Sequence, residues 1–241
     1  MKRRSYSIMT ILTIVCLVSV SLSARAQEAE EESSPIDAGM DIYSSYIWRG
    51  AKFGSGPAFQ PWVEGSVGSL AIGAWGSVNA GPDEAFEMDL YLSYSFDFGL
   101  SIGVTDYYFG AVDGDSIGVD DAGATMYESL GFFSYDAGHY IEPIVSYEIG
   151  DLTLTGAYMF APGFEEGDMY FEAGYSISGI DLAVGAGDGA YTDDGEFMLC
   201  NISIGTSKEI KLTDSFSLPL SGAVVLNPST EGFFITAGIS F

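Results

Sequence analysis

The sequence predicts an all-β fold, an antiparallel, up-and-down transmembrane β-barrel of about twelve strands. Three observations predict it. Segments of about ten residues alternate apolar with small or polar side chains, the period of a strand. No apolar run beyond residue 26 approaches the roughly 20 residues of a membrane helix. Short Gly/Asp turns alternate with longer acidic loops along the chain, as the two ends of an outer-membrane barrel require.

The strands are expected near 39–48, 57–67, 70–79, 86–97, 99–109, 139–149, 151–160, 168–178, 180–187, 196–207, 214–225 and 232–241. In 86–97, Phe86, Met88, Leu90, Leu92, Tyr94 and Phe96 share one face, while Glu87, Asp89, Tyr91, Ser93, Ser95 and Asp97 share the other. A charge near the middle of a bilayer costs on the order of 2–4 kcal/mol, so Glu87 and Asp89 are assigned to the lumen. In the last strand Phe241, Ile239, Ala237, Ile235 and Phe233 form the apolar face.

Gly68-Ser69, Asp97-Phe98-Gly99, Gly150-Asp151 and Ser178-Gly179 are tight turns. The longer connections are 49–56, 80–85, 110–138, 161–167, 188–195 and 227–231. With twelve strands, the short turns and both ends of the barrel fall on one side, taken as periplasmic. Met126–Tyr135 also alternates. A thirteenth strand would invert the later loops, so this segment is expected as a hairpin above the membrane or in the mouth. Pro61, Pro143 and Pro219 conflict with regular pairing, because Pro donates no ladder hydrogen bond. Pro61 and Pro219 suit a rim or bulge, and Pro143 has no explanation at this stage.

Residues 1–26 read as a secretory signal. Lys2, Arg3 and Arg4 precede an apolar stretch from Ile8 to Val20, and Ala24-Arg25-Ala26 is a small-x-small cleavage site. Residues 27–38 are expected as a short periplasmic lead, and 39–241 as the barrel. Cleavage removes four of the eight basic residues and none of the 34 acids, taking the formal charge from −26 to −30. Such a chain does not seek nucleic acid. Its hydrophobic content of 47% and aromatic content of 14% argue against disorder. One cysteine, Cys200, remains; it is expected on a lipid-facing position as a small apolar residue.

Aromatic residues gather at the strand ends. Tyr46, Trp48, Tyr108, Phe109, Tyr158 and Phe160 are expected at the outer interface, and Tyr94, Phe96, Tyr147, Tyr175, Phe216 and Phe241 at the inner one. Alternation places Asp41, Glu64, Glu87, Asp89, Glu142, Glu148, Glu172 and Asp181 in the lumen, with Arg49 near its outer mouth. One arginine cannot pair with all of them. Water or cations would solvate the rest, and an acidic lumen favours cations. A narrow barrel with a few ordered waters is the alternative. Arg49 is expected opposite Glu64 and Glu87, as an ion pair or as a selectivity residue.

No cofactor and no metal site is expected. Asp113 to Gly118 begins like a calcium loop but has Ile117 at position five and Ala124 at position twelve. His139 is the sole histidine. A hydrolase built on it would need a serine within hydrogen-bond reach.

The C-terminal strand, ending on Phe241, resembles the closing strand of bacterial outer-membrane barrels. That resemblance implies an assembly signal read by the insertion machinery. Ser44-Ser45-Tyr46-Ile47-Trp48-Arg49-Gly50, then Gln60, Gly73-Ala74-Trp75-Gly76-Ser77 and Glu87-Met88-Asp89-Leu90-Tyr91, resembles the TorF-type putative porins. Ser207 to Lys211 and Phe216 to Pro219 look like the close of such proteins. The resemblance implies an outer-membrane barrel that acts as a channel, and brings no catalytic residue and no substrate. Outer-membrane lipid, lipopolysaccharide bridged to the loop acids through divalent ions, and small solutes or cations are the expected partners. A closed structural or adhesive barrel acting through its loops is the competing class; a hydrolase dependent on His139 is a third.

Overall fold

The computed structural model describes residues 35–81, 86–109, 116–119, 125–127, 132, 138–163, 166–214 and 216–241. The expected signal and most of the lead lie outside these residues. So do most of the calcium-like loop and most of Met126–Tyr135.

The strands, in chain order, are β1 (Ile36–Tyr43), β2 (Tyr46–Trp48), β3 (Ala51–Phe53), β4 (Ala58–Val67), β5 (Leu70–Asn79), β6 (Phe86–Ser95), β7 (Leu100–Tyr108), β8 (Ser116–Val119), β9 (Thr125–Tyr127), β10 (His139–Ile149), β11 (Leu152–Met159), β12 (Asp168–Ile177), β13 (Ile180–Gly187), β14 (Met198–Lys211), β15 (Ser217–Asn227) and β16 (Gly232–Ser240). Twelve of them close a barrel in the order β1-β16-β15-β14-β13-β12-β11-β10-β7-β6-β5-β4, all antiparallel neighbours. β2–β3 and β8–β9 are separate two-stranded hairpins. β9 is therefore no thirteenth wall strand.

The wall obeys the period-two pattern. Phe59 and Val63 on β4, Leu90 and Leu92 on β6, and Phe171 on β12 are exposed outward, while Gln60, Glu87, Asp89 and Glu172 are buried inward. Tyr94, Tyr147, Tyr175, Phe216 and Phe241 are exposed on the outside near the short-turn end. The short turns close as their residues permit: Gly68, Gly99, Gly150 and the Ser178-Gly179 pair all have positive φ.

The prolines sit where the ladders are broken. β10 pairs with β11 from Ile144 onward and again at the Ile141–Phe160 bridge, with a gap at Pro143. The Pro143 nitrogen faces that gap, where a donor would otherwise be needed. Pro61 lies in a similar break between β4 and β5, whose register runs Phe59↔Val78 and then Trp62↔Trp75. Pro219 precedes the first β15–β16 pair, Leu220↔Ile239.

Four expectations are corrected. The first strand starts at Ile36 and ends at Tyr43 instead of running 39–48. Past Tyr43 the chain turns inward: the Ser44 N–H donates to Ala237 O, and Ser44 Oγ accepts from the Ala237 N–H. Tyr46 and Trp48 consequently leave the outer girdle; Tyr46 is buried and Trp48 packs on buried aromatics. Cys200 is fully buried in the inward aromatic cluster, not lipid-facing. A register shift between Gly185 and Ala186 makes it the extra residue of a β-bulge, which sets Cys200 and Asn201 on the same side. Finally, the β14–β15 turn lies later than expected, so Ser207–Lys211 continues β14.

Orientation has a direct test. Asp151 lies in a short turn and Glu166 in a long loop, and both are exposed. In a Cys200→Ala background on intact cells, an impermeant thiol reagent should label Glu166→Cys and not Asp151→Cys. The reverse result would invert the barrel.

Candidate functional site

The site is built from the inside of the wall and from one loop that folds into it. β2 and β3 form a hairpin paired Tyr46↔Phe53, Ile47↔Lys52 and Trp48↔Ala51, leaving a two-residue turn at Arg49-Gly50. Arg49 has φ 48° and Gly50 φ 82°, the pair of positive values that a type I′ turn demands. Thr236 Oγ1 donates to Ser45 O at 2.9 Å and Asn79 Nδ2 donates to Phe53 O at 2.6 Å, so both legs are tied to the wall.

The tip reaches the far side. Around the barrel, β10 and β12 flank the strand diametrically opposite β1. Arg49 donates to both carboxylate oxygens of Glu142 on β10, at 2.5 and 3.0 Å. Its guanidinium carbon lies 4.4 Å from the Trp48 ring centre and 4.4 Å from that of Tyr170 on β12. Tyr107 on β7 donates to Glu142 Oε2 at 2.8 Å. The hairpin thus crosses the lumen.

A second loop closes in from the other side. A single 3₁₀ turn, Gly189–Tyr191, points Tyr191 at the same carboxylate. Arg49 donates to the Tyr191 hydroxyl at 2.7 Å, and that hydroxyl donates to Glu142 Oε1 at 3.3 Å. Burial holds the Tyr191 phenol well above its ordinary pKa, so it stays a donor. Trp48 packs on Tyr107 at 5.6 Å and on Tyr191 at 5.7 Å. Next door, Tyr170 donates to Glu172, and Asn201 Nδ2 donates to the same Glu172 oxygen at 2.8 Å. Tyr170 lies flat over Gly185, where a Cβ would meet its hydroxyl at 2.1 Å.

The expected lumen residues divide into two sets. Asp41, Glu87, Asp89, Glu142 and Glu172 face inward and are at most 7% exposed. Glu64, Glu148 and Asp181 also face inward, are only partly buried, and lie toward the short-turn end. Tyr91 donates to Glu64 at 3.0 Å and Ser176 to Asp181 at 2.6 Å. Arg49 was expected opposite Glu64 and Glu87; its partner is Glu142, because the hairpin carries it across the lumen. Asp41 Oδ2 and Asp89 Oδ1 have no hydrogen-bond partner among the described residues. Trp48, Tyr107, Tyr170, Tyr191 and Asn201 complete the site and were not singled out for it by periodicity.

His139 lies elsewhere. It pairs with Tyr108 on the outward face of the wall, opposite to the luminal Tyr107. Nδ1 is 2.8 Å from Asp106 and Nε2 2.7 Å from the carbonyl oxygen of Phe132. Phe132 and Tyr108 pack against its ring in tilted contacts, with ring centres at 5.4 and 4.9 Å. Both nitrogens are therefore engaged, Nδ1 with Asp106 on the neighbouring strand and Nε2 in fastening Phe132 to the outside of the barrel. Among the described residues no group of three His, Cys, Asp or Glu side chains is placed to hold a metal. Phe241 is exposed on the outer face, and its backbone exchanges hydrogen bonds with Met40 at 3.0 and 3.2 Å.

No family model matches the chain, and no curated protein matches it. Solved structures similar to it are outer-membrane proteins. A mutant of the Rh. blastica porin is 11% identical over 76% of this chain and 55% of its own, with a TM-score of 0.36. The loop L8 deletion mutant of OmpT, an outer membrane protein of Vibrio cholerae, is 14% identical over 76% of this chain and 61% of its own, with a TM-score of 0.31. The chain covers less than two thirds of either. By its own strand pairing it is a closed, twelve-stranded antiparallel β-barrel whose lumen is crossed by its first long loop.

Proposed function

We propose that this protein is a small porin-like channel of the bacterial outer membrane with a cation-preferring lumen, held shut here by the β2–β3 hairpin. One observation carries it: five nearly fully buried luminal carboxylates share the lumen with one guanidinium, which pairs with Glu142. Structural duty does not require such an excess, since buried charges are costly unless paired. A lumen that exchanges cations has use for it. The TorF-type resemblance belongs to this reading, because its residues Tyr46, Trp48, Arg49, Trp75, Glu87 and Asp89 lie on the hairpin or on the wall it packs against. Membrane lipid around the apolar belt, lipopolysaccharide at the acidic loops through divalent ions, and the insertion machinery through Phe241 are its proposed partners.

Bilayer recordings under a salt gradient test it. The wild type should show small, infrequent openings with a cation-selective reversal potential. Glu87→Gln with Asp89→Asn should weaken that selectivity, while Asp193→Asn with Asp194→Asn in the outer loop should do less. Anion selectivity would overturn the lumen assignment. The second reading is a closed barrel acting through its outer loops, and the hairpin across the lumen favours it. Silence of both the folded wild type and a variant lacking the Arg49 side chain would establish that reading instead.

Phe241 supplies a separate test. Deleting it removes an exposed apolar ring and two backbone hydrogen bonds of the seam. The yield of folded barrel should fall severalfold, with unitary current unchanged in what does assemble. Normal yield would exclude the assembly role.

A further inference from the structure

The occupant of the luminal site belongs to the chain itself, yet it is held as a ligand would be. The Arg49 guanidinium lies between two aromatic faces, Trp48 and Tyr170, with Tyr191 a third at 5.5 Å. In the plane it meets Glu142 through two parallel hydrogen bonds and the Tyr191 hydroxyl through another. Glu142 is completely buried and is further oriented by Tyr107. Apart from Trp48, these groups come from the wall (β7, β10, β12) and from the 189–191 turn, so they persist when the hairpin leaves.

We propose that Glu142, Tyr107, Tyr170 and Tyr191 form a binding site for guanidinium-bearing cations, which Arg49 occupies as a built-in competitor. The inference rests on the channel reading for its role in transport, but the site itself is testable without current. A planar, delocalised cation fits both features at once: it pairs bidentately with a carboxylate and stacks on aromatic rings. An ammonium ion offers neither the fork nor the flat face. Withdrawal of the hairpin leaves Glu142 buried without its counter-charge, which is strongly unfavourable. A cation that takes Arg49's place removes that penalty. It therefore shifts the population toward the withdrawn hairpin by its own differential affinity. The permeant ion and the displaced loop then compete for one site, so solute selection and opening become a single equilibrium.

The test uses the full chain with Arg49→Gly. Glycine suits the φ of 48° at that position, so loss of the side chain is not confounded with backbone strain. Methylguanidinium is titrated at constant ionic strength, with methylammonium and methylurea as the cationic and neutral controls. The readouts are the thermal midpoint and the protection of Cys200, which lies in the same buried cluster as Tyr107, Tyr170 and Tyr191. Saturable protection by methylguanidinium is expected at concentrations at least tenfold below methylammonium, with no effect of methylurea. Glu142→Gln in the same background should abolish it. Wild type should require at least tenfold more, since Arg49 must be displaced. Equal response to the two cations, or a response that survives Glu142→Gln, overturns the proposal. Arg49→Gln replaces the glycine variant if the latter fails to insert. Current through the variant with no discrimination between the cations keeps the channel and removes the site. Saturable protection with no current keeps the site and removes the channel.

Discussion

Gly50→Val is expected to expel the β2–β3 hairpin from the lumen and expose the Cys200 thiol to reagents. A Cβ at Gly50 would stand 2.0 Å from the backbone oxygen of Cys200, which cannot rotate aside. Its φ of 82° adds a second obstacle for a β-branched residue. Overpacking costs about 1–3 kcal/mol, and the left-handed backbone costs a non-glycine residue roughly 1–2 kcal/mol more. Each 1.4 kcal/mol multiplies the withdrawn population by about ten. Modification of Cys200 by a small methanethiosulfonate reagent should accelerate by about a hundredfold on that scale. Cys200 is the free thiol of the described chain and needs no engineering. An unchanged rate would mean that the hairpin tip yields without leaving, and that it is no plug.

Glu142→Leu should be the most destabilising single change in the lumen. It strands a buried guanidinium, and breaking a buried pair from one side costs about 3–5 kcal/mol. The Tyr107 and Tyr191 hydroxyls lose their acceptor as well, at about 1 kcal/mol each. The double variant Arg49→Met, Glu142→Leu removes both charges and should recover most of the loss. Urea unfolding followed by tryptophan emission measures the three proteins. A single-variant loss below about 1 kcal/mol would show that water reaches the pair and screens it.

The wall was legible in the sequence because its physics is local. Period-two alternation in residues such as Phe86 to Ser95 fixes which side faces out of the barrel, and Gly150 or Ser178-Gly179 marks where a strand must reverse. The luminal positions of Glu87, Asp89, Glu142 and Glu172 follow from the same parity. Pro143 was unexplained because a gap in one ladder depends on the partner strand, which one strand's sequence does not contain. Arg49 was placed in the right lumen with the wrong partner. Alternation says that a loop exists, not whether it folds outward or inward. A signal was present: Tyr46, Trp48 and Phe53 flank Arg49-Gly50 as the legs of a type I′ hairpin would, and so aromatic a loop is ill suited to solvent. Tyr191 was missed for the same reason, and Cys200 because a bulge shifts parity by one residue.

The seam between β1 and β16 is short: it pairs Asp41↔Ser240, Ile42↔Ile239 and Tyr43↔Gly238, with Met40–Phe241 and Ser44–Ala237 backbone hydrogen bonds at its ends, where β14 and β15 share ten register pairs. Its two sides stand some 200 residues apart in the chain, so it is the contact of highest order and is expected to form last. The hairpin hangs from that same place, through Ser44 to Ala237 and Ser45 to Thr236. Until β16 arrives, the β2 leg lacks these two anchors, and the root is held through its β3 leg, by Asn79 to Phe53 O. Firm seating of the hairpin should therefore come in the same step that rounds the barrel off, and any delay in zipping the last strand should prolong an intermediate whose hairpin is loosely held.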